Sequence, residues 1–234
     1  MDHFLESWWE VYQAAVQTRF AGRIWFLGLQ GSYARGEATA ESDIDPVLIL
    51  DRVDTADLLA YSQLLDQLPE REKCCGFCAG KEELLHWEPW DLFQLYYDTK
   101  PILGTLEPLL ERIGLKDVEQ AVHLSACNLY HLCARNLIHE KEESILRKGY
   151  KAAVFALSAV DYLRQGSYCS EKQQLRNRLE GLDRELLEEA IALRQKGALS
   201  HEEWIRLSDL LLRWASNQIC LEVEFGTPLS EKPV

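Results

Sequence analysis

The sequence lacks the long apolar run that a membrane-spanning helix requires, which is about 18 consecutive residues. It also lacks a basic stretch followed by an apolar one near its start, where Met1-Asp2-His3 leads to Glu6 and Glu10. We therefore expect no membrane association, no secretory signal and a cytoplasmic location. Neither an internal repeat nor a low-complexity segment is present, and a chain of 234 residues is expected to form one large domain or two small ones.

Basic residues are scarce. The chain has 25 Lys and Arg against 38 Asp and Glu, which gives a net charge of −13. Such a surface repels phosphate backbones, so we expect no general nucleic-acid binding. The imbalance is concentrated in residues 1–115, which hold 9 basic and 20 acidic residues. An acidic first half suits divalent cations or a cationic substrate, and solubility explains it equally well.

The cysteines do not form a complete zinc or disulfide pattern. There are seven of them, an odd number, and free thiols in a reducing compartment are the expectation. Cys75-x-x-Cys78 has the spacing of a zinc or redox pair, but no second pair with matching spacing follows. The segment around these two residues is apolar, which favours buried strand thiols.

The hydrophobic pattern divides the chain into two halves. The first half alternates helical and strand-like segments: a helix over 4–20, strands over 23–29 and 44–50, a helix over 55–68, a strand over 73–79, and a strand or short helix over 91–97. Pro101 and Gly104 indicate a break. From about residue 105 the apolar period is helical, and Ser200 with Glu203 matches a capping box. The predicted fold is an α/β (α+β) domain with a small mixed sheet, followed by an all-α helical bundle, with the boundary at 112/113.

Residues 31–45 carry the chemical signal. A buried strand ends before Gly31-Ser32, where glycine allows close backbone approach to an anion and serine adds a hydroxyl donor. The segment Tyr33-Ala34-Arg35 is predicted to begin a short helix that points at a phosphate, and Gly36 permits a further turn.

Two acidic residues follow this turn. Asp43 and Asp45 stand two apart at the start of a strand, so their side chains are expected on one face. Two carboxylates beside a phosphate-binding turn form a site for one or two Mg²⁺ ions that carry a nucleoside triphosphate. Ser42 is expected to cap or orient the pair.

The pattern Gly31-Ser32-x-x-x-Gly36 followed by Ser42-Asp43-Ile44-Asp45 resembles the signature of the DNA polymerase β-like nucleotidyltransferase superfamily. Its minimal and kanamycin nucleotidyltransferase-like members are the most similar. The resemblance implies a catalytic domain in 1–112 and an acceptor-binding helical domain in 113–234. It also implies that Asp43 and Asp45 hold Mg²⁺, and that the nucleoside triphosphate, expected to be ATP, is held through its phosphates by Gly31, Ser32, Arg35 and Ser42.

The implied reaction is Mg²⁺-dependent transfer of a nucleoside monophosphate to a hydroxyl of a small-molecule acceptor, with an aminoglycoside-like antibiotic as one option. Two alternatives remain open at this point. One is an antitoxin-type nucleotidyltransferase that modifies a partner protein. The other is a degenerate, non-catalytic nucleotide-binding protein. A homodimer is compatible with each of these functions.

The sequence departs from the superfamily pattern at two points. A third carboxylate is usual on a neighbouring strand, but the segment 73–79 contains no acid. The acidic residues near it or further along the chain are Glu72, Glu82, Glu83, Asp91 and Asp98. Pro46 directly follows Asp45, and because proline cannot donate a ladder hydrogen bond, an edge strand or a bulge is expected.

The helical half offers one polar face. Asn128, His131, Arg135 and His139 recur every three or four residues and are expected on one side of a helix. His131 and Arg135 are the candidates for acceptor binding or for a general base. A solvated face with ion pairs is the alternative interpretation.

Overall fold

A computed structural model describes residues 3–39 and 42–221, with the side chains of residues 3–5 excepted. The chain divides into two compact units between Gly114 and Leu115. The N-terminal unit contains helices α1 (His3–Arg19), α2 (Gly31–Ala34), α3 (Thr55–Leu65), α4 (Lys81–Leu85) and α5 (Pro89–Asp98), and strands β1 (Ile24–Gln30), β2 (Asp45–Leu50), β3 (Phe77–Gly80) and β4 (Lys100–Leu103). The C-terminal unit contains helices α6 (Leu115–Arg135), α7 (Glu143–Gln165), α8 (Lys172–Arg178), α9 (Gly181–Leu193) and α10 (His201–Cys220).

The four strands form a small mixed sheet in the order β3-β2-β1-β4. Strand β1 pairs antiparallel with both β2 and β4, whereas β2 and β3 are parallel. This confirms the predicted α/β domain with a small mixed sheet. The segment 91–97, for which a strand and a helix were both possible, lies in helix α5, which begins at Pro89 after Glu88. Proline is favoured at the first helical position because its missing N–H has no partner there.

The sheet is covered on both faces. On one face, even-numbered β2 residues such as Leu48 and Leu50 pack with Trp8 and Tyr12 of α1 and with α3. On the other face, Val47 and Ile49 pack with Phe26 of β1 and with α4 and α5. Strand alternation thus assigns odd-numbered residues of β2 to the face that carries α5.

Two expectations about prolines are wrong: the chain does not break at Pro101, and Pro46 does not lie on an edge strand. The Pro101–Gly104 region, predicted as a break, contains the edge strand β4, because an edge strand tolerates a proline whose missing donor faces away from the ladder. Strand β2 is not an edge strand: it lies between β1 and β3. Gly76, which directly precedes β3, leaves space for Pro46. A Cβ at Gly76 would lie 2.8 Å from the proline Cγ and Cδ and 2.1 Å from the proline carbonyl oxygen.

The C-terminal unit is a helical bundle in which α6 and α7 pack against each other, α10 packs on α6, and α9 packs on α7. Gly149 of α7 allows a close approach, since a Cβ there would contact Leu132 and Leu211 at 3.1–3.2 Å. The capping box of α10 is present as predicted, with reciprocal hydrogen bonds between Ser200 and Glu203. The residues from 105 to 113, predicted as a helix, form a 3₁₀ helix over Glu107–Arg112. Within residues 3–39 and 42–221, no helix is long and apolar enough to cross a membrane.

Candidate active site

The glycine-rich turn begins where β1 ends. Gly31 has φ +73°, a conformation that favours glycine, and opens the four-residue helix α2. The Arg35 N–H donates to the Gly31 carbonyl at 3.2 Å, and the Glu37 N–H donates to the Ser32 carbonyl at 2.8 Å. Gly36, at φ +70°, turns the chain again. The predicted turn, short helix and second turn are therefore confirmed.

Asp45 lies directly against this turn. It is the first residue of β2 and pairs across the ladder with Gln30, the last residue of β1. A Cβ on Gly31 would lie 2.2 Å from Asp45 Oδ2, so the absence of a side chain at Gly31 makes room for this carboxylate. The glycine thus serves two purposes, since it permits the positive φ and it seats the Asp45 carboxylate.

Asp43 and Asp45 flank a residue that faces the opposite way. Ile44 is fully buried and belongs to the core between the sheet and helices α1 and α3. Asp43 is exposed and Asp45 is half-buried. By strand alternation the two acidic residues lie on the sheet face that carries α4 and α5. This is the arrangement that the i, i+2 spacing predicts.

Ser42 is engaged in local structure. Its hydroxyl accepts a hydrogen bond from the Thr39 N–H at 2.9 Å, and its own N–H donates to the Thr39 carbonyl at 3.0 Å. These two bonds join the ends of the loop that precedes Asp43. A contact with phosphate remains a prediction for this residue.

Arg35 is held by two carboxylates of the N-terminal unit. Its Nη1 forms an ion pair with Asp98 at the end of α5, and its Nε donates to Glu37 at 3.4 Å. Burial works to lower the pKa of Arg35, but the charge of Asp98 and the hydrogen bond to it outweigh burial, so the pKa is raised. The guanidinium is therefore charged and oriented. These two contacts use two of its five N–H donors.

The strand position beside Asp45 holds a thiol. The bridge between Ile44 and Cys74 and the pairing of Val47 with Phe77 place Cys75 alongside Asp45 in the parallel register. Cys75 is exposed, whereas Cys74 is buried. All seven cysteines are free, as predicted, but the expectation of buried thiols fails at Cys75, which precedes the regular part of β3. The chain therefore has no acid at the neighbouring-strand position.

The other candidates for a third carboxylate lie on other elements. Asp91 accepts a hydrogen bond from Trp87 Nε1 at 2.7 Å, and Asp98 pairs with Arg35. Glu72 is in the 3₁₀ turn Arg71–Lys73, and Glu82 and Glu83 are in α4. In the part of the chain that the structure describes, no three His, Cys, Asp or Glu side chains form a group that could hold a metal ion.

Two aspartates nevertheless suit Mg²⁺. This ion prefers carboxylate oxygens, retains several waters, and is commonly held by one or two carboxylates together with substrate phosphates. Asp43 and Asp45 supply hard oxygen ligands, and the Gly31 backbone leaves room for the Asp45 carboxylate. The donor set fits a metal that arrives with a triphosphate better than one held by protein side chains alone.

A cleft of about 190 Å³ opens on the same face of the sheet. It is lined by Gln30, Phe77, Leu84, Trp87, Asp91, Leu92, Gln94, Leu95 and Asp98. Gln30 connects this cleft to the aspartates because it is the ladder partner of Asp45, and directly paired residues share a face. Both charged residues of the lining are acidic.

The candidate face of the C-terminal unit is exposed. Asn128, His131 and Arg135 lie on α6, and Arg135 pairs with Glu140 at 2.9 Å. His139 lies beyond the end of α6, in a π-helical turn over Asn136–Glu140, so the regular α-helical spacing does not extend to it. These contacts do not test the roles in acceptor binding or base catalysis expected of His131 and Arg135, which stay predictions.

Comparison with known proteins decides the family of the N-terminal unit. Residues 15–114 match the family model described as "Nucleotidyltransferase domain". The N-terminal unit is a nucleotidyltransferase domain. The resemblance to nucleotidyltransferases is thereby confirmed for this unit, and with it the prediction of a transferase domain.

One solved structure with a similar fold is the spectinomycin adenyltransferase AAD(9) from Enterococcus faecialis, crystallised with ATP and spectinomycin. The similarity covers 92% of this chain and 98% of that one, with a TM-score of 0.59 and 12% sequence identity. At this identity the match shows a shared fold, which extends over both units. No curated protein matches the sequence significantly.

Proposed function

We propose that this nucleotidyltransferase transfers a nucleoside monophosphate from ATP to a hydroxyl of a small-molecule acceptor, in the presence of Mg²⁺. The observation that carries the proposal is the close approach of the glycine turn to Asp45, where only glycine at position 31 leaves room for the carboxylate. That contact supports the proposal because it brings the candidate phosphate-binding turn and the Asp45 carboxylate together.

In the proposed reaction the acceptor hydroxyl attacks the α-phosphorus of ATP. A new P–O bond forms to the acceptor, and the bond to the β,γ-diphosphate breaks, which releases pyrophosphate. Mg²⁺ held by Asp43 and Asp45 would neutralise phosphate charge when bound. The turn would bind the β- and γ-phosphates through the Gly31 backbone and the Ser32 hydroxyl. The candidate acceptor of the hydroxyl proton is His131 of the helical unit, with Arg135 as a candidate for acceptor binding.

The choice of ATP and of a small acceptor has two supports. The structurally similar adenyltransferase was crystallised with ATP and spectinomycin, and its fold matches both units. The excess of 20 acidic over 9 basic residues in the first 115 positions favours a cationic acceptor over a polyanion. We therefore propose an amino-group-bearing acceptor, such as an aminoglycoside-like antibiotic.

A second function, nucleotide binding without turnover, is favoured by the thiol at Cys75. The neighbouring strand supplies no third carboxylate there, and such a group commonly completes metal binding or serves as the base in this superfamily. Under this alternative the protein binds Mg²⁺ and ATP but releases no pyrophosphate with any acceptor.

Incubation with α-phosphate-labelled ATP, Mg²⁺ and a panel of amino sugars and aminocyclitols tests the proposal. We expect label to appear on an acceptor with equal release of pyrophosphate. Asp45→Asn is expected to abolish both signals. Asp66→Asn is the matched control, since Asp66 forms an exposed ion pair with Arg71 in the same unit. Binding of ATP without transfer to any member of a broad panel would favour the non-catalytic alternative.

A further inference from the structure

The end of helix α5 is joined to the glycine-rich turn by one ion pair. Asp98, the last residue of α5, pairs through Oδ1 with Nη1 of Arg35. The two side chains are 15% and 24% exposed, so water screens their attraction less than it screens the surface pairs of this unit. The partners are 63 positions apart in the sequence. The pair therefore fixes the turn against an element distant in the chain.

Asp98 is followed by a tightly packed junction between α5 and β4. The next residue, Thr99, is buried, and its hydroxyl donates to the Leu95 carbonyl. The Thr99 methyl packs against β1 at Gly28, where a Cβ would lie only 2.8 Å from it. Strand β4 then continues from Lys100 and pairs with β1. Close packing and strand pairing thus hold the α5–β4 junction against the strand that leads into the turn.

Arg35 transmits this placement to the turn. Its backbone N–H donates a hydrogen bond to the Gly31 carbonyl, and the Glu37 N–H donates one to the Ser32 carbonyl. Its side chain also donates to Glu37. A shift of the Arg35 guanidinium would therefore move the segment that carries the Ser32 hydroxyl.

We propose that Asp98 is a positioning residue that acts through Arg35 to hold the glycine-rich turn in its triphosphate-binding shape. This inference rests on the proposed function, because it assumes that the turn binds the phosphates of ATP. Asp98 itself contacts Arg35, and its effect on ATP is indirect. Mutation of residues that orient the ligands of a metal site commonly changes metal affinity or activity by about 10- to 100-fold, and we expect an effect at the lower end of this range here.

Calorimetric titration of ATP with Mg²⁺ into a set of variants tests the inference. We expect Asp98→Asn, which removes the charge with little change of shape, to weaken Mg²⁺-dependent ATP binding by about 10-fold. Asp98→Glu keeps the carboxylate and is expected to bind ATP more tightly than Asp98→Asn. Asp66→Asn breaks an exposed ion pair elsewhere in the unit and is expected to bind ATP as the wild type does.

The double variant separates an indirect effect from a direct one. If Asp98 acts only through Arg35, then Arg35→Gln/Asp98→Asn binds ATP as weakly as Arg35→Gln alone. Losses that multiply in the double variant would overturn the inference, as would wild-type affinity in Asp98→Asn or no gain from Asp98→Glu. If Asp98→Asn does not fold, wild-type affinity of Arg35→Gln contradicts it.

The same titrations distinguish failure of the inference from failure of the proposed function. Wild-type protein that binds no ATP contradicts the proposed function itself. Loss of binding in Asp43→Asn, together with unchanged binding in Asp98→Asn, leaves the proposed function intact and refutes only the role of Asp98.

Discussion

Replacing Gly31 with alanine should separate the two purposes of this glycine. The residue has φ +73°, and a Cβ there would lie 2.2 Å from Asp45 Oδ2. Gly22, in the turn before β1, has φ +74°, and a Cβ there would have no neighbouring atom within 4 Å. Gly22→Ala is therefore a matched control that introduces the same backbone conformation without the contact to the carboxylate.

The strained backbone should lower the free energy of unfolding by a similar amount in the two variants. An alanine in the left-handed region costs about 1–2 kcal/mol. For a unit of this size, about 4 °C of melting temperature is lost for each kcal/mol. In Gly31→Ala the Asp45 carboxylate must also move by more than about 1 Å to restore ordinary van der Waals distance from the new methyl group. A displaced metal ligand should weaken Mg²⁺-dependent ATP binding by about 10- to 100-fold.

Thermal unfolding and calorimetric ATP titration of both variants check this prediction. We expect comparable melting temperatures, with ATP affinity lost in Gly31→Ala and retained in Gly22→Ala. Wild-type ATP affinity in a folded Gly31→Ala variant would refute the role assigned to the close contact between Gly31 and Asp45. Equal loss of affinity in both variants would show that stability, and not the carboxylate, determines binding.

Two further predictions concern an exposed thiol and a salt bridge. Cys75→Asp places a carboxylate at the strand position beside Asp45. Calorimetric titration of Mg²⁺ with ATP should show tighter binding to this variant than to the wild type, with Cys75→Ser as the control. No gain in affinity would contradict the deduced register. Arg23 donates two hydrogen bonds to Asp57 and lowers the pKa of that carboxyl to about 2. Since this pKa lies below the unfolded value of about 3.9, the stabilisation is complete above pH 4 and is lost as the pH falls through about 2. Asp57→Asn should therefore lower the melting temperature at pH 6 but much less at pH 2, and an equal decrease at both values would contradict the role of the pair.

The glycine turn and the acid pair were predictable because their signals are local. A positive φ favours glycine at positions 31 and 36, and a buried Ile44 between two aspartates assigns them to one face. The apolar runs that became β1 and β2 are strongly buried, and such runs are the clearest strand signal. The helices of the second half were predictable for the same reason, because their apolar residues recur with a helical period within each segment.

Strand β4 was missed because nothing in its own sequence marks it. All four of its residues are exposed, one of them is a proline, and its pairing partner β1 lies 71–76 positions earlier. A four-residue edge strand is too short to show the alternation that sequence patterns detect, and its proline argues against a strand. The environment of Pro46 was missed for a related reason, since it depends on Gly76 of another segment.

The electrostatic surroundings of the site depend on tertiary contacts. The partner of Arg35 is Asp98, and no sequence spacing connects the two residues. The occupant of the strand position beside Asp45 could be identified as Cys75 only after the parallel register of β2 and β3 was known. The sequence thus indicated the candidate site residues, whereas the structure was needed to find the contacts that orient them.

The most direct test of the central claim is a calorimetric titration of ATP, GTP, CTP and UTP into the wild type and Asp43→Asn, with and without Mg²⁺. We predict that the wild type binds ATP only when Mg²⁺ is present, and that Asp43→Asn unfolds at the wild-type temperature but has lost this binding. Equal Mg²⁺-dependent affinity in both proteins, or no binding of any triphosphate by the wild type, would contradict the assignment of the aspartate pair as the metal–nucleotide site.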